Sequence, residues 1–192
     1  MNVTAHVTRR VEIGGRQLLV LDDLFQRPDI VSLYAFLREL PYQLNDIASD
    51  ETAYVKHWKA DFPVALAEGT PVLRDCIKTA RALLVGDDFA LGRVYTNMIL
   101  YGDMQGPHTD PPGGITALYY ANPEWKENWL GETIFYDEDR EPVHALAPRP
   151  GRLALFHSDI LHRAGVPSRE CFEPRISVAF TFVPVSARNP AG

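Results

Sequence analysis

The sequence predicts a mainly β domain buttressed by helices from its amino-terminal half, and two patterns predict it. From Gly92 onward, β-branched and aromatic residues come in short runs separated by Pro, Gly, Asp and Asn, the spacing of an antiparallel sandwich or barrel. Before that point, two segments repeat their apolar residues at helical intervals. Helices first and strands afterwards give an all-β core with helices packed against one sheet.

The elements follow in chain order. Leu18 to Leu21 reads as a short strand, and Asp29 to Leu40 as a helix stopped by Pro41. A second helix runs from about Thr70 to Val85. Pro71 suits its first turn, and Val72, Leu73, Cys76, Ile77, Ala80, Leu83 and Leu84 form its apolar stripe. The strands expected beyond are Arg93 to Tyr101, Ile115 to Tyr120, Thr133 to Tyr136, Val143 to Leu146, Arg152 to Phe156 and Arg175 to Val183. Asn122 to Leu130 reads as an inserted loop or helical turn. No linker divides the 192 residues, so one domain is expected, with the helical buttress mainly over 25–90 and the β core mainly over 92–184.

Hydrophobic residues make up 46% of the chain and charged ones 23%, ordinary globular proportions that exclude a disordered or repetitive chain. A chain of this length buries a sizeable core without disulfides or a structural metal. The formal net charge is −6 and the basic residues are scattered, so nucleic acid is not an expected partner. The opening MNVTAHVTRR lacks the apolar stretch of a signal peptide, and no run of about eighteen apolar residues occurs. A cytoplasmic location without a membrane partner is therefore expected. Cys76 and Cys171 are too few and too isolated for a disulfide framework or a thiolate metal site.

The chemistry concentrates around His108-Thr109-Asp110, which follows a Gly-Asp-Met-Gln-Gly-Pro turn. In an extended segment side chains two apart share a face, so an imidazole and a carboxylate converge on one point. A facial metal site needs one more histidine returned from a distant strand, with neighbouring positions left open. His162 lies far enough along the chain to supply it. A second H-x-D, His157-Ser158-Asp159, has no such partner, because His162 is too near and no later histidine exists. His157 closes the Arg152 to Phe156 strand, whereas Leu161 to Pro167 turns into the next element. His162 is thus the expected third ligand, and His157 a buried neighbour. His6, His57 and His144 lack a carboxylate at useful spacing and are expected in packing or at the surface.

The last strand places Ile176, Val178, Phe180 and Phe182 on one face and Arg175, Ser177, Ala179 and Thr181 on the other. A guanidinium on a strand suited to burial needs a partner, and Arg is shaped for a bidentate carboxylate contact. Arg175 with Ser177 suits the far carboxylate of a dicarboxylic acid; an internal ion pair to Asp or Glu is the alternative. On the strand before the H-x-D, Arg93, Tyr95, Asn97 and Tyr101 share one parity. Tyr95 and Asn97 are secondary candidates for the same cavity, with plain packing as the alternative.

In this order, His108-Thr109-Asp110, Gly131-Glu132-Thr133-Ile134-Phe135, Pro150-Gly151-Arg152-Leu153-Ala154-Leu155-Phe156, His162 with Pro167, and Arg175-Ile176-Ser177 resemble the 2-oxoglutarate and Fe(II)-dependent oxygenase superfamily in its prolyl-hydroxylase-like branch. The resemblance spans roughly Gly92 to Val183. It implies a double-stranded β-helix, or jelly roll, with the metal between its sheets. It maps Fe(II) onto His108, Asp110 and His162, and the distal carboxylate of 2-oxoglutarate onto Arg175. The implied reaction consumes O2, releases succinate and CO2, and hydroxylates an unactivated C–H bond, with desaturation, epoxidation or cyclisation as other outcomes. Two departures point away from a prolyl-peptide substrate: related prolyl hydroxylases often carry Lys where Arg175 stands, and Leu130-Gly131-Glu132-Thr133 replaces the usual Gly-Gly-Glu-Thr run. The compact length favours a small molecule such as an amino acid or secondary metabolite. A protein or peptide hydroxylase, or a cupin-like metal enzyme that does not use 2-oxoglutarate, is the alternative. Gln105, Trp125, Trp129 and Trp58, with Tyr54 and His57 beside it, are candidates for the lining of the substrate entrance, with plain packing or a surface position as the alternative for each.

Overall fold

Gly14 and Gly15 both take positive φ, 56° and 72°, which is what a two-residue hairpin turn between right-twisted strands requires. In the computed structural model, which describes residues 7–188, that turn joins β1 (Arg9–Ile13) to β2 (Arg16–Leu21), paired from Arg9↔Val20 to Ile13↔Arg16. Helix α1 (Arg27–Arg38) follows, with a proline in its first turn. Then come β3 (Gln43–Ile47), β4 (Lys56–Phe62), α2 (Val64–Gly69) and α3 (Pro71–Ala80), which runs on into a π-helical turn at Arg81–Val85. The remaining strands are β5 (Phe89–Ile99), β6 (Ile115–Tyr120), β7 (Thr133–Tyr136), β8 (Pro142–Leu146), β9 (Leu153–His157), β10 (His162–Ala164) and β11 (Arg175–Pro184).

The strands form two antiparallel sheets. The large one runs β1-β2-β9-β6-β11-β5-β4-β3 and the small one β10-β7-β8. The central strands of the large sheet are buried on both faces, and their alternation sorts the core into two layers. Leu19, Leu21, Ala117, Tyr119, Leu153, Leu155, Ile176, Val178, Phe180 and Phe182 pack toward the helices, against Leu33, Leu37, Leu73 and Ile77. Leu18, Val20, Leu118, Tyr120, Ala154, Phe156 and Ala179 face the small sheet, against Phe135 and Leu146. The site lies in this second layer, between the sheets.

Three expectations need correction. The segment 25–90 is not helical throughout, because β3 and β4 join the large sheet beside β5, pairing from Trp58↔Met98 to Phe62↔Val94. β4 does alternate, but its polar face mixes the buried His57 at a cavity wall with the ion-paired Lys59 and Asp61, so it does not read as an ordinary half-buried strand. Arg9–Ile13 is also a strand, declared by its glycine turn rather than by its own apolar content. Finally, the turn expected after Leu161 contains β10, whose three residues pair with β7 from His162↔Phe135 to Ala164↔Thr133.

One buried ion pair ties the hairpin to the core. Arg152, 2% exposed, donates from Nε and Nη2 to the two oxygens of Asp22 at 2.6 and 2.8 Å, and from Nη1 to the Ala147 carbonyl at 2.8 Å. Burial opposes ionisation of Asp22, but the hydrogen bonds and charge of Arg152 outweigh it and hold the carboxyl below its ordinary pKa. Asp22→Ala leaves a buried guanidinium unpaired, and denaturant unfolding at neutral pH is expected to show a loss of about 3–5 kcal/mol. In the unmutated protein this contribution is complete above the ordinary carboxylate pKa and disappears as the pH falls through the lowered one.

Candidate metal centre and co-substrate pocket

His108 and His162 exchange backbone hydrogen bonds. The N–H of each donates to the carbonyl of the other at 2.9 Å, an antiparallel bridge outside the ladders of either sheet. Residues paired this way project their side chains to the same side, and the two rings lie 4.6 Å apart between centroids. Asp110, two residues on, donates its N–H to the Ser158 carbonyl at 3.0 Å. One ligand atom from each of His108, Asp110 and His162 falls within 4.8 Å of the others, and His162 Nε2 is 3.7 Å from Asp110 Oδ2.

Local backbone turns each imidazole toward that point. His108 Nδ1 lies 3.0 Å from the Gly106 carbonyl, and His162 Nδ1 lies 2.9 Å from that of Ile160. A carbonyl only accepts, so each Nδ1 carries the proton and each Nε2 presents a lone pair. Burial, reinforced by His162 and opposed by Asp110, lowers the pKa of His108 to about 4. Its ring is therefore neutral at pH 7. The Thr116 hydroxyl donates to Asp110 Oδ2 at 2.5 Å and sits 3.0 Å from the Ser158 hydroxyl. Two imidazoles and an oriented carboxylate form the donor set that non-haem Fe(II) sites use.

A narrow cavity continues from these three residues and is lined also by Tyr95, Asn97, Thr133, Arg175 and Ser177. Arg175 is 1% exposed. Its Nε donates to the Gly131 carbonyl at 2.7 Å, its Nη2 to Thr133 Oγ1 at 3.0 Å, and its guanidinium lies 5.3 Å from the Tyr120 ring centroid. Among the described residues no carboxylate forms an ion pair with it, and burial pushes its pKa down. A buried cation without a counter-ion is costly, so this pocket favours an anionic occupant. Thr133 Oγ1 also accepts from the Tyr120 hydroxyl at 2.7 Å, which leaves the threonine proton to be donated. Asn97 Oδ1 is buried without a partner among the described residues. Gly131 is needed beside Arg175: its φ is +80°, and a Cβ there would lie 3.1 Å from Trp125 and 3.2 Å from Arg175 Cδ.

The structure thus gathers His108, Asp110, His162, Arg175, Ser177, Tyr95, Asn97 and Gln105 around one cavity. It does not bring the tryptophans there. Trp58 shares the parity of Ala60 and Phe62, toward the helices. Trp125 packs at Gly131 and donates to the Leu130 carbonyl, and Trp129 borders a separate surface cleft with Tyr34 and Phe172. Tyr54 is 83% exposed. His157 ends β9 outside the cavity lining, His144 stands opposite Phe135 in the small sheet, and His6 lies outside the described residues. Thr116, Tyr120, Thr133 and Ser158 escaped the sequence analysis. Thr116 and Tyr120 share the inward parity of Ile115–Tyr120, and a polar residue in so apolar a strand was the available signal.

Residues 96–183 match the family model described as the 2OG-Fe(II) oxygenase superfamily. No curated protein sequence matches the chain. Among solved structures, a Pseudomonas putida prolyl-4-hydroxylase is similar at 16% identity and a TM-score of 0.63, over 88% of this chain and 92% of that one. A Trichoplax adhaerens prolyl hydroxylase, in complex with a hypoxia inducible factor oxygen degradation domain peptide fragment, is similar at 16% identity and a TM-score of 0.67, over 89% and 85%. HygX from Streptomyces hygroscopicus, with nickel, 2-oxoglutarate and hygromycin B bound, is similar at 13% identity and a TM-score of 0.63, over 90% and 84%. At these identities the structural likeness is one of fold, the jelly roll. The family match, over residues 96–183 of the 192, makes the chain similar to the 2OG-Fe(II) oxygenase superfamily. Family match and fold together support a 2-oxoglutarate-dependent dioxygenase, a class that requires Fe(II), 2-oxoglutarate and O2.

The buried environment of His108 is directly measurable. In the metal-free protein its ring stays neutral as the pH passes 6.5, and an NMR titration of the ring finds a midpoint near 4. A midpoint at or above 6.5 contradicts the described packing.

Proposed function

We propose that this dioxygenase hydroxylates a C–H bond of a small polar molecule, with His108, Asp110 and His162 as the Fe(II) ligands and Arg175 as the seat of the distal carboxylate of 2-oxoglutarate. One juxtaposition carries the assignment: a corner of two imidazole Nε2 atoms and a carboxylate shares its cavity with a buried guanidinium that, among the described residues, no carboxylate pairs with directly. Iron bound there would supply O2 activation coupled to the oxidative decarboxylation of 2-oxoglutarate to succinate and CO2.

The chain's own residues orient and enclose. The Gly106 and Ile160 carbonyls hold both imidazoles in the ligating tautomer, and Thr116 aims the carboxylate. Arg175 and the Thr133 hydroxyl present donors to a carboxylate. Leu118, Phe156, Ala164 and Ala179 form the apolar remainder of the wall, which limits water around the reacting groups. A second, outer cavity of about 180 Å³ shares Tyr95, Gln105, His108 and Asp110 with the inner one. That volume lies below the roughly 300–1,000 Å³ of drug-sized sites, which supports a small substrate, and its charged lining favours a polar group over a prolyl ring.

An anaerobic titration with Fe(II) and then 2-oxoglutarate, followed by visible absorption, tests the assignment. We expect a metal-to-ligand charge-transfer band that is absent in His108→Ala. Arg175→Ala should need about ten- to a hundredfold more 2-oxoglutarate to reach it. A full band in the first variant, or unchanged 2-oxoglutarate affinity in the second, overturns the roles given to those residues. Thr116→Val keeps all three ligands but frees the carboxylate, and its metal affinity is expected to fall about 10–100-fold, measured by competition with a chelator.

A further inference from the structure

The outer cavity is walled by residues of β3, β4 and β5, among them Asp46, His57, Arg93 and Tyr95, and Asp46 and Arg93 are joined through ion pairs with Lys59 and Asp61. Arg93 donates from Nε and Nη2 to Asp61 Oδ1 at 3.2 and 2.8 Å. Lys59 Nζ reaches Asp46 Oδ1 and Asp61 Oδ2, both at 3.3 Å. The opposite face of β4 carries Ala60 and Phe62, both buried. Of the charged cluster, Asp46 and Arg93 line the cavity, whereas Asp61 is largely exposed.

Two of these side chains are left with unengaged polar edges. The Arg93 guanidinium is gripped along one edge by Asp61 and lies 4.5 Å from the Tyr95 ring centroid, so it is held in place. Its Nη1 has no acceptor among the described residues. Asp61 is shared with Lys59, so it only partly neutralises Arg93. His57 lines the same cavity and is 2% exposed. Its Nε2 is flanked by Gln105 Nε2 and Asp46 Oδ2, each at 3.4 Å, while its Nδ1 is buried with no partner among the described residues. Gln105 is itself fixed, because its Oε1 accepts the Ala164 N–H at 3.1 Å. A pre-positioned guanidinium edge is suited to a carboxylate, and holding it in advance lowers the cost of ordering it on binding.

We propose that Arg93 binds a carboxylate of the primary substrate, with His57 as a second polar contact, so that the enzyme acts on a small free carboxylic acid of amino-acid size. This rests on the iron-site assignment above and adds the substrate class. A residue within a peptide presents an amide at this position and leaves the guanidinium edge unpaired. A site built around a charged partner rejects the analogue that lacks it.

The test uses the Fe(II)-loaded enzyme with 2-oxoglutarate and measures succinate formed above the substrate-free background. The probes are free L-amino acids and simple hydroxy and keto acids, each beside its primary amide, together with short peptides containing the same residues. We expect at least one free acid to stimulate succinate formation, and its amide to be about ten- to a hundredfold poorer in kcat/KM. Arg93→Gln should raise KM for the acid and erase the preference over the amide, and Arg93→Lys should restore part of it. The charge-transfer band, recorded for every variant, reports whether the metal and 2-oxoglutarate are still held. Equal stimulation by acid and amide, stimulation by peptides alone, or an unaltered preference in Arg93→Gln overturns the proposal. So does a lack of stimulation by every acid in protein that shows the band. Absence of the band in the unmutated protein instead overturns the iron-site assignment, and the substrate proposal with it.

Discussion

The reciprocal backbone hydrogen bonds between His108 and His162 are the constraint on which the rest of the site depends. Neither histidine belongs to the large sheet. His108 lies in the connection between β5 and β6, and His162 opens a three-residue strand of the small sheet. Pairing the two backbones fixes the separation of the rings and locks the connection against the small sheet. The carbonyls of Gly106 and Ile160 then choose the tautomer, and Asp110 arrives on the same face because it lies two residues further along an extended segment. A metal geometry thus follows from ordinary strand pairing.

The large sheet supplies what this pairing cannot. Its central strands are buried on both faces, so a polar side chain on them must find a partner or face a cavity. Arg152 finds Asp22 and acts as structure. Arg175, equally buried, finds a carbonyl, a hydroxyl and an aromatic ring but no carboxylate. That contrast between two buried arginines in one layer separates a structural ion pair from a pocket suited to an anionic ligand.

Much of this was legible in the sequence, for specific reasons. The alternation of Arg175 to Phe182 is strict enough to put Arg175 and Ser177 on one face and the four large apolar residues on the other, as the structure has them. Which side chains converge with His108 was legible because the second H-x-D has no distant histidine to complete it. β3 and β4 were not legible as strands, since β3 is a largely exposed edge strand and β4 carries ion-paired charges, so both imitate a solvated loop. The tryptophans misled because size and aromaticity carry no information about parity; only the pairing of Trp58 with Met98 shows that it points toward the helices. His57, read as a residue of the entrance but not as a ligand for want of a carboxylate nearby in sequence, does line the outer cavity, and its neighbour Asp46 comes from the adjacent strand.

The central claim is that one corner of this jelly roll, built by the His108–His162 pairing, holds the metal. Anomalous diffraction from anaerobic crystals grown with Mn(II), an oxygen-inert stand-in for Fe(II), and 2-oxoglutarate tests it most directly. The account predicts a single strong peak bounded by His108 Nε2, His162 Nε2 and the Asp110 carboxylate, with 2-oxoglutarate running from it to Arg175. A peak elsewhere, such as between His57 and Asp46, or a 2-oxoglutarate carboxylate that does not reach Arg175, would contradict it.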